Sequence, residues 1–216
     1  MAVELELEIA GEPMRALGDR ALYWPARRRL LIADLHLGKG DVFRRAGIAL
    51  PSGGTSHDLA RLAALLERTG AHELWILGDV LHGPAPQSSW RRAVDQWRQR
   101  HHHVRMAALT GNHDRALAAA TDLGLELLPD SVADGPFLLR HHPEPDAGRH
   151  VLCGHLHPVF KAPGTSRRFA AFLLREGITV LPAFSQFTAG IEPDLEPGER
   201  LIACVEGEAI ALPPAA

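Results

Sequence analysis

The sequence holds 13 histidines against 2 cysteines. Histidine is the commonest metal ligand and the natural acid–base group near neutral pH. Two thiols, by contrast, cannot build a disulfide framework or a four-thiolate zinc site. Many of the histidines are placed rather than scattered. Asp34-Leu35-His36, Gly78-Asp79, Gly111-Asn112-His113-Asp114, His141-His142 and Gly154-His155-Leu156-His157 each follow a short apolar run. The glycines at 78, 111 and 154 suit tight turns and close approach of the backbone to another group. Asp34 and His36 are two residues apart, as are His155 and His157, so in extended backbone each pair points to one side. The adjacent His141 and His142 would then point to opposite sides, which admits only one of them as a ligand. His141, the first after its apolar run, is taken as that ligand.

Carboxylate, imidazole and carboxamide donors without thiolate suit Mn, Fe or Zn. Mg or Ca alone would favour oxygen ligands, which so many histidines argue against. The donors exceed what one ion takes and predict two divalent ions, about 3.5–4 Å apart and sharing a carboxylate, a pair that clamps a phosphoryl group and generates hydroxide at neutral pH.

The elements that must position these groups are legible as hydrophobic patterns. Apolar runs at 30–33, 74–77, 104–109, 137–139 and 151–153 read as buried strands. A helix is expected over 56–69, burying Leu59, Leu62, Ala63, Leu65 and Leu66 and stopping at Gly70. A second follows Ser88 and Ser89 and places Trp90, Ala93, Val94 and Trp97 on one face. The last third, with strand-like segments at 168–174, 178–181, 201–205 and 209–212, is strand-rich. In open α/β sheets ligands bind at the carboxyl ends of strands, so the five polar clusters should converge on one rim. No linker divides the chain, and residues 1–216 are expected to form a single domain.

The formal net charge of −3, from 23 Lys and Arg against 26 Asp and Glu, excludes a uniformly basic nucleic-acid coat. No apolar run approaches the ~18 residues of a membrane span. Near the N-terminus Glu4, Glu6 and Glu8 alternate with apolar residues, which is strand periodicity and unlike a signal peptide. A soluble, cytoplasmic protein is expected.

Read in order, ADLHLGKG, LGDVLHG, TGNHD, RHHPEP and CGHLHP resemble the motif set of the calcineurin-like metallophosphoesterases, over Asp34 through His157. DLHLGKGDVFRRAGIALPSGG and LPAFSQFTAG further resemble the bacterial ligase-associated DNA-damage-response endonucleases. The resemblance implies a four-layer αββα sandwich of two mixed β-sheets flanked by helices. It implies that Asp34, His36 and His157 hold a first metal, that Asn112, His141 and His155 hold a second, and that Asp79 bridges both. His113 would stabilise or protonate the leaving oxygen, and Asp114 would orient His113. The implied activity is a Mn-dependent phosphodiesterase or endonuclease acting on DNA, single-stranded above all, in repair, by hydroxide attack on phosphorus. The alternative is a dimetal hydrolase of small phosphoesters such as nucleotides or dinucleotides. Fe or Zn are alternative metals. A DNA ligase, a helicase and an exonuclease are implied as functional associates, and a homo-oligomer is compatible with the sequence.

Lys39, in the loop 38–40, is open between contacting phosphate and being a plain loop cation. Among the arginines, which otherwise read as a solvated face balanced by 26 acidic residues, Arg44 and Arg45 are the best placed in sequence to meet phosphate. His82 is open between facing substrate and capping a turn. His101, His102 and His103 close an arginine-rich helix and are expected to be its solvated last turn, favoured by the helix dipole. Cys153 is expected as a small core residue.

Overall fold

In a computed structural model of the chain, the described residues are 4–49, 53–82, 89–112, 114, 117 and 123–215. Two mixed β-sheets pack face to face. The first contains β1 (Leu5–Ile9), β2 (Glu12–Leu17), β3 (Ala21–Trp24), β4 (Arg29–Ile32), β5 (Glu73–Leu77), β6 (Arg105–Leu109) and β7 (Glu126–Leu127), side by side in chain order. The first four pair antiparallel, and β4 through β7 pair parallel. Parallel neighbours need long crossovers. The helices α1 (Lys39–Arg45) and α2 (Gly54–Thr69) lie between β4 and β5, and α3 (Ser89–Arg100) lies between β5 and β6.

The second sheet comprises β8 (Ser131–Asp134), β9 (Phe137–Arg140), β10 (His150–Cys153), β11 (Val159–Lys161), β12 (Arg168–Arg175), β13 (Ile178–Val180), β14 (Arg200–Val205) and β15 (Glu208–Ala211). Its order is β15-β14-β12-β13-β10-β9-β8, with β11 paired to β12.

The central strands read as continuous apolar runs because both of their faces are buried. Leu30, Ile32, Leu74, Ile76 and Ala108 face Leu62, Leu65, Val94 and Trp97 of the helices. Their neighbours Leu31, Trp75, Leu77, Ala107 and Leu109 point the other way, onto Phe137, Leu139, Leu152, Phe172 and Ile202 of the second sheet. Full burial of one such side chain contributes about 1.5–3 kcal/mol, so this layer fixes how the two sheets meet. The outer face of the second sheet buries Val151, Cys153, Leu173 and Val180 beneath Leu156, Phe160, Leu195 and Leu212. Among the described residues, then, the helices pack on the first sheet, and β11 with loop residues closes the second.

The helix expected over 56–69 starts at Gly54 and stops at Gly70, whose left-handed backbone returns its N–H to Leu66 O. Lys39, expected in a loop, is the first residue of α1, capped by the left-handed Gly38. No helix among the described residues is long and apolar enough to cross a membrane.

Candidate metal centre

The ends of β4, β5, β6, β9 and β10 meet along one rim. Pairing continues past the strands there: Asp34 N–H donates to Gly78 O at 3.2 Å, and His36 N–H to Asp79 O at 2.8 Å. The backbone at these positions is not extended. Asp34, His36, Asp79, His155 and His157 all have left-handed φ, between 47° and 72°. Extended alternation therefore does not aim these side chains, as the spacing alone had suggested. Each left-handed residue turns its own side chain inward at a cost of roughly 1–3 kcal/mol, strain of the kind that collects at functional sites.

Two donor sets result. The donor atoms of Asp34, His36 and His157 lie within 4.8 Å of one another. Asp34 Oδ1 and His157 Nε2 are buried, sit 3.4 Å apart and make no hydrogen bond. A buried carboxylate oxygen costs free energy unless a cation or donor meets it, so this pair fits a metal.

The second set centres on His141. Its ring Nδ1 donates to Leu77 O at 3.0 Å, which leaves Nε2 of the neutral ring as a lone pair. That lone pair faces Asn112 Oδ1 at 2.9 Å, His155 Nδ1 at 3.2 Å and Asp79 Oδ1 at 3.7 Å. Two oxygen acceptors, Asn112 Oδ1 and Asp79 Oδ1, converge there on a ring nitrogen with no proton to give, which is what a cation resolves. Asp34, Asp79 and His141 also form a group within 4.8 Å, which joins the two sets.

Glycines make this closeness possible. A Cβ on Gly78, whose φ is +85°, would fall 2.2 Å from His141 Nδ1, and one on Gly111 would fall 2.2 Å from Asp79 Oδ1.

Asp114 is buried, and its carboxylate accepts three backbone N–H groups: Leu81 at 2.8 Å, Gly111 at 2.9 Å and Val80 at 3.1 Å. These bonds tie the turn carrying Asp79 to the turn carrying Asn112. Burial pushes its pKa up, and the three donors oppose that shift. His113 lies outside the described residues.

His142 departs from expectation. Strand β9 ends at Arg140, so alternation does not govern the next two residues. The His141 and His142 rings lie 4.9 Å apart on the same side, and donor atoms of His141, His142 and His155 form a third group within 4.8 Å. His141 is buried and His142 exposed.

Lys39 Nζ donates to Thr188 Oγ1 at 3.3 Å. Burial lowers its pKa, while the carboxylates of Asp34 and Asp79 pull it back up, so its charge is felt at the rim. Arg44 pairs with Asp41 within α1, and Arg45 is exposed at its last turn. The His82 ring sits edge-on to His36 with centroids 5.4 Å apart, in the wall of the first set. His101 stacks on Trp97 at 4.3 Å, and His102 and His103 are exposed in the turn that follows α3. Cys153 is fully buried.

Carboxylate, imidazole and carboxamide donors gathered at the joint rim of two mixed sheets are the equipment of metal-dependent phosphoesterases, and the chain is one of these. A family model described as calcineurin-like phosphoesterase, a family that works with a dimetal centre, matches residues 27–143, and the chain belongs to that family. Among solved structures it is similar to the Pseudomonas putida nuclease MPE, with 36% identity, 97% of this chain and 100% of that chain covered, and a TM-score of 0.85. This likeness agrees with the subgroup resemblance drawn from the loop segments. More distant are the phosphoesterase Yfce from E. coli (18% identity, 85% and 96% covered, TM-score 0.47) and the Aquifex aeolicus protein AQ665 of unknown function (17%, 60% and 78%, 0.43). No curated protein matches the chain.

Proposed function

We propose that the protein is a dimetal, Mn-dependent phosphodiesterase that cuts DNA, single strands above all, in repair. The observation that supports this most is the group Asp34–Asp79–His141, a carboxylate between two donor sets. The DNA substrate is supported by the likeness to a nuclease across 97% of the chain.

Asp34, His36 and His157 would hold one ion, Asn112, His141 and His155 the other, and Asp79 would face both. Two such ions, Mn first with Fe or Zn as alternatives, supply Lewis-acid charge and a hydroxide nucleophile at neutral pH. Lys39 offers its ammonium to a phosphate oxygen, while Arg44 and Arg45 extend positive charge along α1 toward flanking phosphates. His113 gives its proton to the departing alkoxide. Asp114 holds the turns of Asp79 and Asn112 in register. A ligase, a helicase and an exonuclease acting on the same lesions are the functional associates of this reading.

A second reading, hydrolysis of small phosphoesters, is favoured by one observation. Asp41 engages Arg44 and Glu144 engages Arg140, which neutralises cations beside the rim.

Rates of the Mn-loaded protein on a single-stranded oligonucleotide, bis(nitrophenyl) phosphate and nitrophenyl phosphate separate the two. Cleavage of the oligonucleotide and the diester is expected. Monoester turnover far above diester turnover, with the oligonucleotide intact, would reject the nuclease reading for the second one.

A further inference from the structure

The segment 181–191 carries no obvious catalytic group, yet its backbone touches both halves of the first donor set. Phe184 N–H donates to Ala33 O at 2.8 Å, and Ser185 N–H to Asp34 O at 3.2 Å. Six residues later Ile191 N–H donates to His157 O at 3.1 Å. Asp34 and His157 come from different sheets, so this segment is a strap joining the two strand ends that must meet.

The strap is held from the helix side by a buried ion pair. Arg61 Nη2 donates to Phe184 O and, at 3.1 Å, to Asp58 Oδ1. Its guanidinium lies 4.1 Å from the Phe184 ring centroid. Asp58 in turn accepts the backbone N–H of Gln186. The side chains of Arg61 and Asp58 keep only 11% and 5% of their exposure. Arg20 adds a bond to Ser185 O at 3.0 Å. A buried ion pair is a poor source of net stability compared with apolar side chains of similar volume. It does fix geometry, since a guanidinium and a carboxylate accept only a few arrangements. Apolar residues would dock α2 equally well; they would not fix the carbonyl of residue 184 and the N–H of residue 186.

We propose that Arg61 and Asp58 are positioning residues for the Asp34–His36–His157 set, acting through the strap to fix where the backbones of Asp34 and His157 stand. The inference rests on reading that set as a metal site. Neither residue is a ligand. The pair sets the relative placement of ligands from two sheets, and with it the affinity of one of the two metal positions. Partners of this kind outside the ligand set typically change metal affinity by about 10–100-fold.

Mn binding by chelator-stripped protein tests the proposal, followed by calorimetry and by the electron spin resonance of free Mn, with amide exchange as a second readout. The informative variant is the double change Asp58→Asn with Arg61→Met, which removes the pair without stranding a buried charge. Arg61→Lys keeps a donor. The double variant should unfold cooperatively, exchange the amides of Phe184 and Ser185 faster, and lose about tenfold or more in affinity at one Mn position with the other unchanged. Arg61→Lys should fall between it and the parent. Parent-like affinity at both positions in the double variant would overturn the proposal. So would equal loss at both positions, which would mark a general loosening. A parent chain that binds no Mn would sink the metal reading itself, whereas a parent that binds two ions and a variant that matches it would sink only this inference.

Discussion

Asp34 Oδ2 accepts the backbone N–H of His155 at 3.0 Å, while Asp34 Oδ1 stands 3.4 Å from His157 Nε2. One fully buried carboxylate thus ties the first sheet to the turn of the second and presents its other oxygen to a candidate ligand. Asp34→Asn keeps an oxygen that can accept the His155 N–H but turns an amide NH2 toward His157. The variant should lose one bound metal and nearly all hydrolysis. Stripped of metal, it should be at least as stable as the parent, because a buried charge has been removed. Bound metal by atomic emission and thermal unfolding in chelator check both halves. A variant that retains two metals, or that melts well below the parent, contradicts the assignment.

His141 and His142 both reach His155, but only His141 is buried with Nδ1 committed to a carbonyl and Nε2 aimed at Asn112 and Asp79. His141→Ala should lower hydrolysis of a simple phosphodiester about 100-fold or more, whereas His142→Ala should stay within about threefold. Equal losses would make His142 a ligand too.

His113, adjacent to Asn112, carries a leaving-group prediction. General acid assistance contributes about 10²–10⁴-fold where the leaving group is a poor one. His113→Ala should therefore lose far more activity toward an alkyl ester or DNA than toward a nitrophenyl ester. Parallel losses across leaving groups would remove the acid role.

Asp58 supplies a pH dependence. Burial pushes its carboxyl up to about 6, against the opposing pull of Arg61. The folded pKa lies above the ordinary carboxylate value, so between the two the folded state binds more protons than the unfolded chain. The stability from this group is full below the ordinary value and is lost as pH rises through about 6. The stability difference between the parent and Asp58→Asn, from denaturant unfolding at fixed pH values, should shift against the parent between about pH 4 and pH 7 and then level off. A difference that grows in the parent's favour over that window would contradict the shift.

What the sequence made legible follows from what buries residues. The runs at the cores of β4, β5, β6, β9 and β10 stood out because each is covered on both faces, and the polar residues just beyond them marked the rim. That Asp34, His36 and His157 gather follows from strand ends sharing that rim. The route by which they gather was not legible. Five of the rim's own donors, Asp34, His36, Asp79, His155 and His157, take left-handed backbone, a conformation that residue type signals mainly through glycine. The short helix α1 was hidden because it buries none of its residues and begins after glycine. Strand β3, Ala21–Trp24, is four buried residues with no alternation to mark it. The work of Asp58 and Arg61 was invisible for another reason. Nothing in an acidic and a basic residue three apart on a helix points to a distant strap, and only the fold brings residues 184 and 186 against them.

Titration of chelator-stripped protein with Mn, with cleavage of a labelled single-stranded oligonucleotide followed alongside, tests the central claim most directly. Cleavage should be absent without metal, rise with Mn, saturate when two ions are bound per chain, and vanish in Asp79→Ala even though that variant remains folded. Saturation at a single ion, full activity in Asp79→Ala, or an intact oligonucleotide at every Mn concentration would contradict a dimetal nuclease built on this rim.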